Sequence, residues 1–89
     1  MGYTIYYRVR ITRWSEFVKF IERICHGLGM ELELSNDSVM IKGESVESLL
    51  IPAKGEGFVK TYGKEPVTSI YLLILYSVSA FGSVLVWED

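Results

Sequence analysis

Apolar and polar positions alternate strictly between Tyr3 and Thr12. A period of two with many β-branched and aromatic residues is typical of a strand that is buried on one side. The apolar side carries Tyr3, Ile5, Tyr7, Val9 and Ile11. The other side carries Thr4, Tyr6, Arg8, Arg10 and Thr12. The pattern therefore predicts a strand whose odd-numbered residues lie in the core.

From Trp14 the apolar residues recur at the i, i+3, i+4 and i+7 spacing of a helix with one buried side. This stripe consists of Trp14, Phe17, Val18, Ile21, Ile24, Cys25 and Leu28. We expect Thr12 or Ser15 to cap the start of the helix. Gly27 or Gly29 supplies the left-handed residue that ends it.

The middle of the chain returns to alternation and predicts a hairpin. Residues 30–34 place Met30, Leu32 and Leu34 inward, and Ser35–Ser38 has the composition of a tight turn. Residues 39–44 form the partner strand. A third apolar run, residues 46–51, predicts one more strand before Pro52.

No charged residue occurs from Val67 to Trp87. An uncharged run of this length is either a membrane span or a doubly buried segment of a soluble domain. Its serines, together with Gly82, favour the core, and so does the need of the preceding elements for a packing partner. We expect a helix over residues 66–81 and a strand over residues 83–88, with a hairpin over the same run as the alternative. Membrane attachment is a third functional hypothesis.

These elements predict one α+β domain over residues 1–89. The fold class is a two-layer sandwich in the order β-α-β-β-(β)-α-β, with a mainly antiparallel sheet and two helices on one face.

The outer side of the second helix carries no charge, which is unusual for a solvated surface. At helical spacing this side consists of Leu72, Leu73, Tyr76 and Ala80. An exposed apolar patch of this kind marks an interface. The leading hypothesis is therefore a non-catalytic interaction module that forms a homodimer through these residues.

Composition excludes several other functions. The 89 residues carry a net charge of −2, which gives no electrostatic footprint for duplex DNA. One cysteine and one histidine, Cys25 and His26, offer too few ligands for zinc, and adjacent helix positions do not face each other as a catalytic pair would. We expect no catalytic residue, cofactor or metal. The absence of a signal pattern predicts a cytoplasmic protein, and the absence of Gln hints at a thermophilic source.

The segment Gly55–Pro66 is the first alternative site, in a protein that binds a phosphate-bearing ligand or in an enzyme that acts on one. Its glycines, with Lys60, Thr61 and Lys64 ahead of a helix, have the composition of a loop that binds a small anionic ligand such as a phosphate. The segment departs from the P-loop pattern, because Glu65 stands where Ser or Thr would hold magnesium. The other interpretation is a surface loop.

The exposed side of the first strand is the second alternative. Tyr6, Arg8 and Arg10 are typical of an aromatic and basic platform for unstacked RNA bases. Three acidic residues, Glu31, Glu33 and Glu44, argue against it, because we expect them on the same sheet, in cross-strand ion pairs.

Overall fold

The computed structural model describes residues 3–89. Residues 3–89 form two helices and six strands, which follow the predicted order with one additional strand, Lys54–Lys60. They are β1 (Thr4–Ile11), α1 (Trp14–Leu28), β2 (Leu32–Leu34), β3 (Ser38–Ile41), β4 (Leu49–Pro52), β5 (Lys54–Lys60), α2 (Val67–Ser77) and β6 (Gly82–Glu88). A short 3-10 turn, Val78–Ala80, joins α2 to β6. The α+β class is confirmed, and the predicted order of elements is confirmed apart from the additional strand β5.

The strands form two three-stranded antiparallel sheets, one with the order β5-β1-β6 and one with the order β2-β3-β4. Ala53 alone separates β4 from β5, and its backbone bonds to the turn before β3 and to the end of β1. Its N–H donates to the Asp37 carbonyl at 2.7 Å, and its carbonyl accepts from the Ile11 N–H at 2.7 Å. The chain therefore passes directly from one sheet into the other at this residue.

One apolar core joins both helices to the sheets. The odd-numbered residues of β1 are buried with Phe17, Ile21 and Cys25 of α1 and with Tyr71 and Leu75 of α2. Because both helices cover the odd-numbered side of β1, its even-numbered side is left open from Tyr6 to Arg10. The uncharged run thus contributes a core helix and an edge strand. Among residues 3–89, neither helix has the length and apolar character needed to span a membrane.

Three local predictions are wrong. Within residues 3–89, no side chain caps the start of α1. The N-cap residue is Arg13, and the Thr12 hydroxyl donates to the Phe81 carbonyl at 3.2 Å. Leu28 and Leu34, expected inside, are about half exposed at the ends of their elements. The end of α1 follows the prediction, because Gly29 adopts a left-handed conformation with φ 68°.

The segment expected to be a loop before α2 is largely a strand. Lys54–Lys60 forms β5 and pairs with β1 along its whole length. The hairpin alternative for the uncharged run is wrong, because Val67–Ser77 is helical. The helix begins after Pro66 and gives way to the 3-10 turn at Val78, so it is shorter than predicted at both ends.

Candidate functional site

The even-numbered side of β1 forms the centre of an exposed sheet surface, which we call the open face. In an antiparallel sheet, directly opposed residues point to the same side. The register therefore places three residues in each of three cross-strand rows. The rows are Phe58, Tyr6 and Trp87; Glu56, Arg8 and Leu85; and Lys54, Arg10 and Ser83. None of these nine residues is buried.

The first row is entirely aromatic, and we call it the aromatic row. The Tyr6 and Trp87 rings have centroids 5.8 Å apart and planes inclined by 11°. The Tyr6 and Phe58 centroids are 6.2 Å apart. Phe58 is 58% exposed and Trp87 is 42% exposed. The three rings thus pack against one another, and a large part of their area still faces water, as at a binding surface.

The second row contains an ion pair beside an exposed leucine. The Arg8 guanidinium lies 2.9 Å from the Glu56 carboxylate, and both side chains are exposed. A solvated pair contributes little to stability. It does hold Arg8 over β5, next to the aromatic row, while Leu85 extends the apolar surface over β6.

The third row, which we call the basic row, brings two like charges together. Arg10 of the central strand stands directly opposite Lys54 of β5, with Ser83 on the other side. Like charges in this position destabilise a sheet. In the part of the chain that the structure describes, neither cation forms a salt bridge. An open depression of about 450 Å³ covers this row and the second one.

The predicted anion-binding residues lie in three different environments. Lys60 is exposed at the end of β5, and its backbone N–H donates to the Glu47 carboxylate at 3.0 Å. Thr61 is buried, with its hydroxyl 2.7 Å from that of Thr68. The Lys64 ammonium donates to the Ser45 carbonyl at 3.4 Å. A pocket of about 720 Å³ beside the start of α2 is lined by Lys64 but not by the other two.

The predicted interface residues of α2 differ in exposure. Leu73 is 70% exposed, Tyr76 and Ala80 are also exposed, and Leu72 is half-buried against the core. Leu73 lines an apolar groove of about 270 Å³ between the helices, which we call the helical groove. Phe20 and Ile24 of α1 form its other wall.

Cys25 and His26 point to different environments, as predicted. Cys25 is buried, and burial raises the pKa of its thiol, whereas His26 is exposed. Within residues 3–89, no three side chains of the His, Cys, Asp or Glu type are grouped so that they could hold a metal ion.

The acidic residues are not where the sequence placed them. Glu33 pairs with Lys42 at 3.1 Å in the β2-β3-β4 region, which confirms an ion pair of the expected kind. Glu31 and Glu44 flank that same sheet and lie outside the open face. The partner of Arg8 is Glu56, which the sequence did not single out.

The sequence identified the central strand of the open face but missed its flanks. Two of the flanking residues, Lys54 and Phe58, lie in a segment expected to be a loop. The other two, Leu85 and Trp87, lie in the predicted final strand, whose partner in the sheet the sequence did not identify. A signal was present in β5, where Lys54, Glu56, Phe58 and Lys60 alternate with smaller residues.

No protein family, curated protein or solved structure matches this chain. Function therefore has to be inferred from the chemistry of its own surfaces.

Proposed function

We propose that the open face binds a single-stranded nucleic acid, with bases stacked on the aromatic row. The observation that carries this proposal is the half-exposed set of rings at Phe58, Tyr6 and Trp87, which lies on a sheet surface. Proteins that bind single strands stack successive bases on aromatic side chains, and sheets often present those side chains.

The charge distribution supports the same ligand. The whole chain has a net charge of −2, yet the three rows carry Arg8, Arg10 and Lys54 against one carboxylate, Glu56. The open face thus has the opposite sign to the molecule. Glu31, Glu33 and Glu44, which argued against RNA binding, belong to the other sheet region.

The shape of the surface favours unpaired bases over a duplex. Duplex DNA is read in its major groove by an α-helix or a two-stranded β-ribbon, whereas the aromatic row lies across three strands of a sheet. Rings can stack on a base only when that base is not already stacked within a helix. A single strand of RNA or DNA meets this requirement.

Trp87 provides a direct assay for stacking. The chain contains two tryptophans, Trp14 and Trp87, so Trp14→Phe leaves Trp87 as the only reporter. On titration with short oligo(U) or oligo(dT) at low salt, we expect saturable quenching of its emission. Comparison of the affinities for oligo(U) and oligo(dT) shows whether RNA or DNA is the preferred ligand.

Substitution of Phe58 tests whether the stacking is on the aromatic row. Phe58→Ala is expected to weaken binding about 5- to 150-fold, which corresponds to the ~1–3 kcal/mol of one stacked base. Tyr76→Ala is the matched control, because Tyr76 is an aromatic residue of similar exposure on α2. Absence of saturable quenching, or equal binding by the Phe58→Ala variant, would refute the proposal. If Trp87 emission is quenched when the protein concentration rises without any oligonucleotide, the occupant of the open face is a second copy of the chain.

A second candidate function is self-association through α2. The specific observation is the exposed Leu73 at the rim of the helical groove, on a helix without a charged residue. A surface that has both a protruding apolar side chain and an apolar groove is self-complementary under a two-fold axis. A second copy also brings no unpaired charge into the contact.

Light scattering with two charge-introducing variants tests this candidate. Leu73→Glu is expected to give a monomer, while Leu85→Glu, at an exposed leucine of the open face, leaves the dimer intact. A monomeric unmodified protein at tens of micromolar would eliminate the candidate. Dissociation by Leu85→Glu alone would move the dimer contact to the open face.

A further inference from the structure

The basic row contains a charge arrangement that folding does not explain. Arg10 and Lys54 are directly opposed cations, and no salt bridge relieves either of them in the described chain. Directly opposed like charges destabilise a strand pair. Two neighbouring cations at a solvated surface are, in contrast, favourable when an anion lies between them.

Protection of a sheet edge accounts for only one of the two cations. Lysines on edge strands hinder unwanted pairing with other chains. Lys54 lies on β5, which is an edge strand of its sheet. Arg10 lies on β1, which is paired on both sides. Its charge therefore has no function in protecting an edge, and another reason for its position is needed.

We infer that the basic row is a phosphate site, formed by Arg10, Lys54 and Ser83 in the open depression beside the aromatic row. The inference rests on the proposed function and names the part of the ligand that this row contacts: a backbone phosphate of the stacked single strand. An arginine guanidinium matches a phosphate with paired donors, a lysine adds a point charge, and a serine hydroxyl is a further donor. The depression of about 450 Å³ that covers these residues leaves the site open to a strand.

The spacing of the rows leaves room for a ligand of more than one nucleotide. Tyr6 and Arg10 are four residues apart along β1, which corresponds to about 13 Å. A stacked strand advances only ~3.4 Å per nucleotide. A strand with a base on the aromatic row can therefore place the phosphate of a neighbouring nucleotide on the basic row, and an oligonucleotide is the ligand that the inference concerns.

Salt dependence of oligo(dT) binding tests the phosphate site. For single strands, log K falls with log salt by about 0.7 for each neutralised phosphate. Both cations can share one phosphate, so Arg10→Gln and Lys54→Gln are each expected to weaken binding at low salt, and the double variant to lower the slope by about 0.7. Lys19→Gln, which removes an exposed charge from α1, is the control for net charge and is expected to leave the slope unchanged.

Failure of this inference is distinguishable from failure of the proposed function. If Trp87 quenching persists with its dependence on Phe58, but the double variant has the unmodified slope, the basic row is not the phosphate site and stacking still stands. If no quenching occurs, the proposed function itself fails. A strand with a neutral methylphosphonate backbone adds an independent readout. Its binding is expected to be insensitive to Arg10→Gln, and a loss equal to that of oligo(dT) would overturn the inference.

Thermal unfolding of the free protein gives a second, ligand-free test. Because Lys54→Gln removes a like charge from the position opposite Arg10, we expect this variant to unfold at a higher temperature than the unmodified protein, while it binds the oligonucleotide more weakly. A fall in the unfolding temperature would mean that the pair stabilises the sheet, and the argument from repulsion would be wrong.

Discussion

Gly57 lies directly opposite Tyr7 in the ladder between β5 and β1, and the Tyr7 ring fills the space that a side chain at position 57 would need. A Cβ atom on Gly57 would stand 2.7 Å from the Tyr7 hydroxyl oxygen and 2.8 Å from Cζ. Non-bonded carbon atoms pack at ~3.5–4.0 Å. The glycine therefore allows Tyr7 to extend over β5 toward β4, where its hydroxyl donates to the Leu50 carbonyl.

Gly57→Ala is expected to destabilise the protein by about 1–3 kcal/mol, because the Tyr7 ring has to move out of a packed core. Urea unfolding monitored by circular dichroism measures the change. Gly27→Ala is the matched control, since a Cβ at that position of α1 would have no atom of residues 3–89 within 4 Å apart from its chain neighbours and the local helix backbone. In a helix this change stabilises by up to about 1 kcal/mol. If both variants changed the unfolding free energy in the same direction, the packing argument would be contradicted.

The titration of Tyr7 also makes the free energy of unfolding depend on pH in the alkaline range. Burial raises the pKa of Tyr7 to about 12, whereas an unfolded tyrosine titrates near pH 10. The folded state therefore holds this proton more tightly. The stabilisation is complete below pH 10 and is lost as the pH rises from 10 toward 12, by about 3 kcal/mol in all.

Tyr7→Phe removes this titration. We expect the variant to be less stable than the unmodified protein near pH 8, because the Leu50 carbonyl loses its donor. Its unfolding free energy is expected to fall less steeply between about pH 10 and pH 12. Tyr71, whose pKa burial also raises, continues to titrate in both proteins. Parallel pH profiles would contradict the assignment to Tyr7.

The sequence predicted β1 and α1 well because each is buried on one side only, so that hydrophobicity repeats with the period of the element. It did not predict β5 as a strand. The inward positions of β5 include Gly55 and Gly57, and the apolar group that covers Gly57 is the Tyr7 ring of another strand. The pattern of apolar residues within β5 cannot show that a residue of another strand supplies the apolar group on its inward side.

The open face was predictable only in its central strand. Tyr6 and Arg10 follow from the alternation in β1, but their neighbours depend on the register of two strands that are distant in sequence. A shift of one residue in either ladder would turn Phe58 or Trp87 to the other face of the sheet. Both the aromatic row and the opposition of Arg10 to Lys54 are therefore properties of pairing.

Leu75 and Leu73 lie two residues apart on α2 and have opposite environments. Leu75 is fully buried, while Leu73 is exposed at the helical groove. Leu75→Ala is expected to cost about 2–5 kcal/mol of unfolding free energy, because it leaves a cavity in the core. Leu73→Ala is expected to change the stability of the monomer by no more than about 0.5 kcal/mol.

Urea unfolding at low protein concentration separates these two effects from any contribution of self-association. The unfolding free energy of Leu73→Ala is then compared with that of the unmodified protein over a range of concentrations. A large loss for Leu73→Ala at the lowest concentration would contradict its position at the surface of the monomer.

The Cys25 thiol is expected to be nearly inert in the folded protein. It is buried, and burial raises its pKa, so both access and the thiolate fraction are low. Reaction with an aromatic disulfide reagent near pH 8 is expected to be at least ~100-fold slower than in denaturant, because it requires local or global opening. The chain contains one cysteine, so the whole signal belongs to Cys25.

His26→Ala is expected to leave the rate unchanged, since His26 is exposed on the neighbouring side of α1. Fast reaction in the native state that slows with His26→Ala would instead identify an activated cysteine and histidine pair.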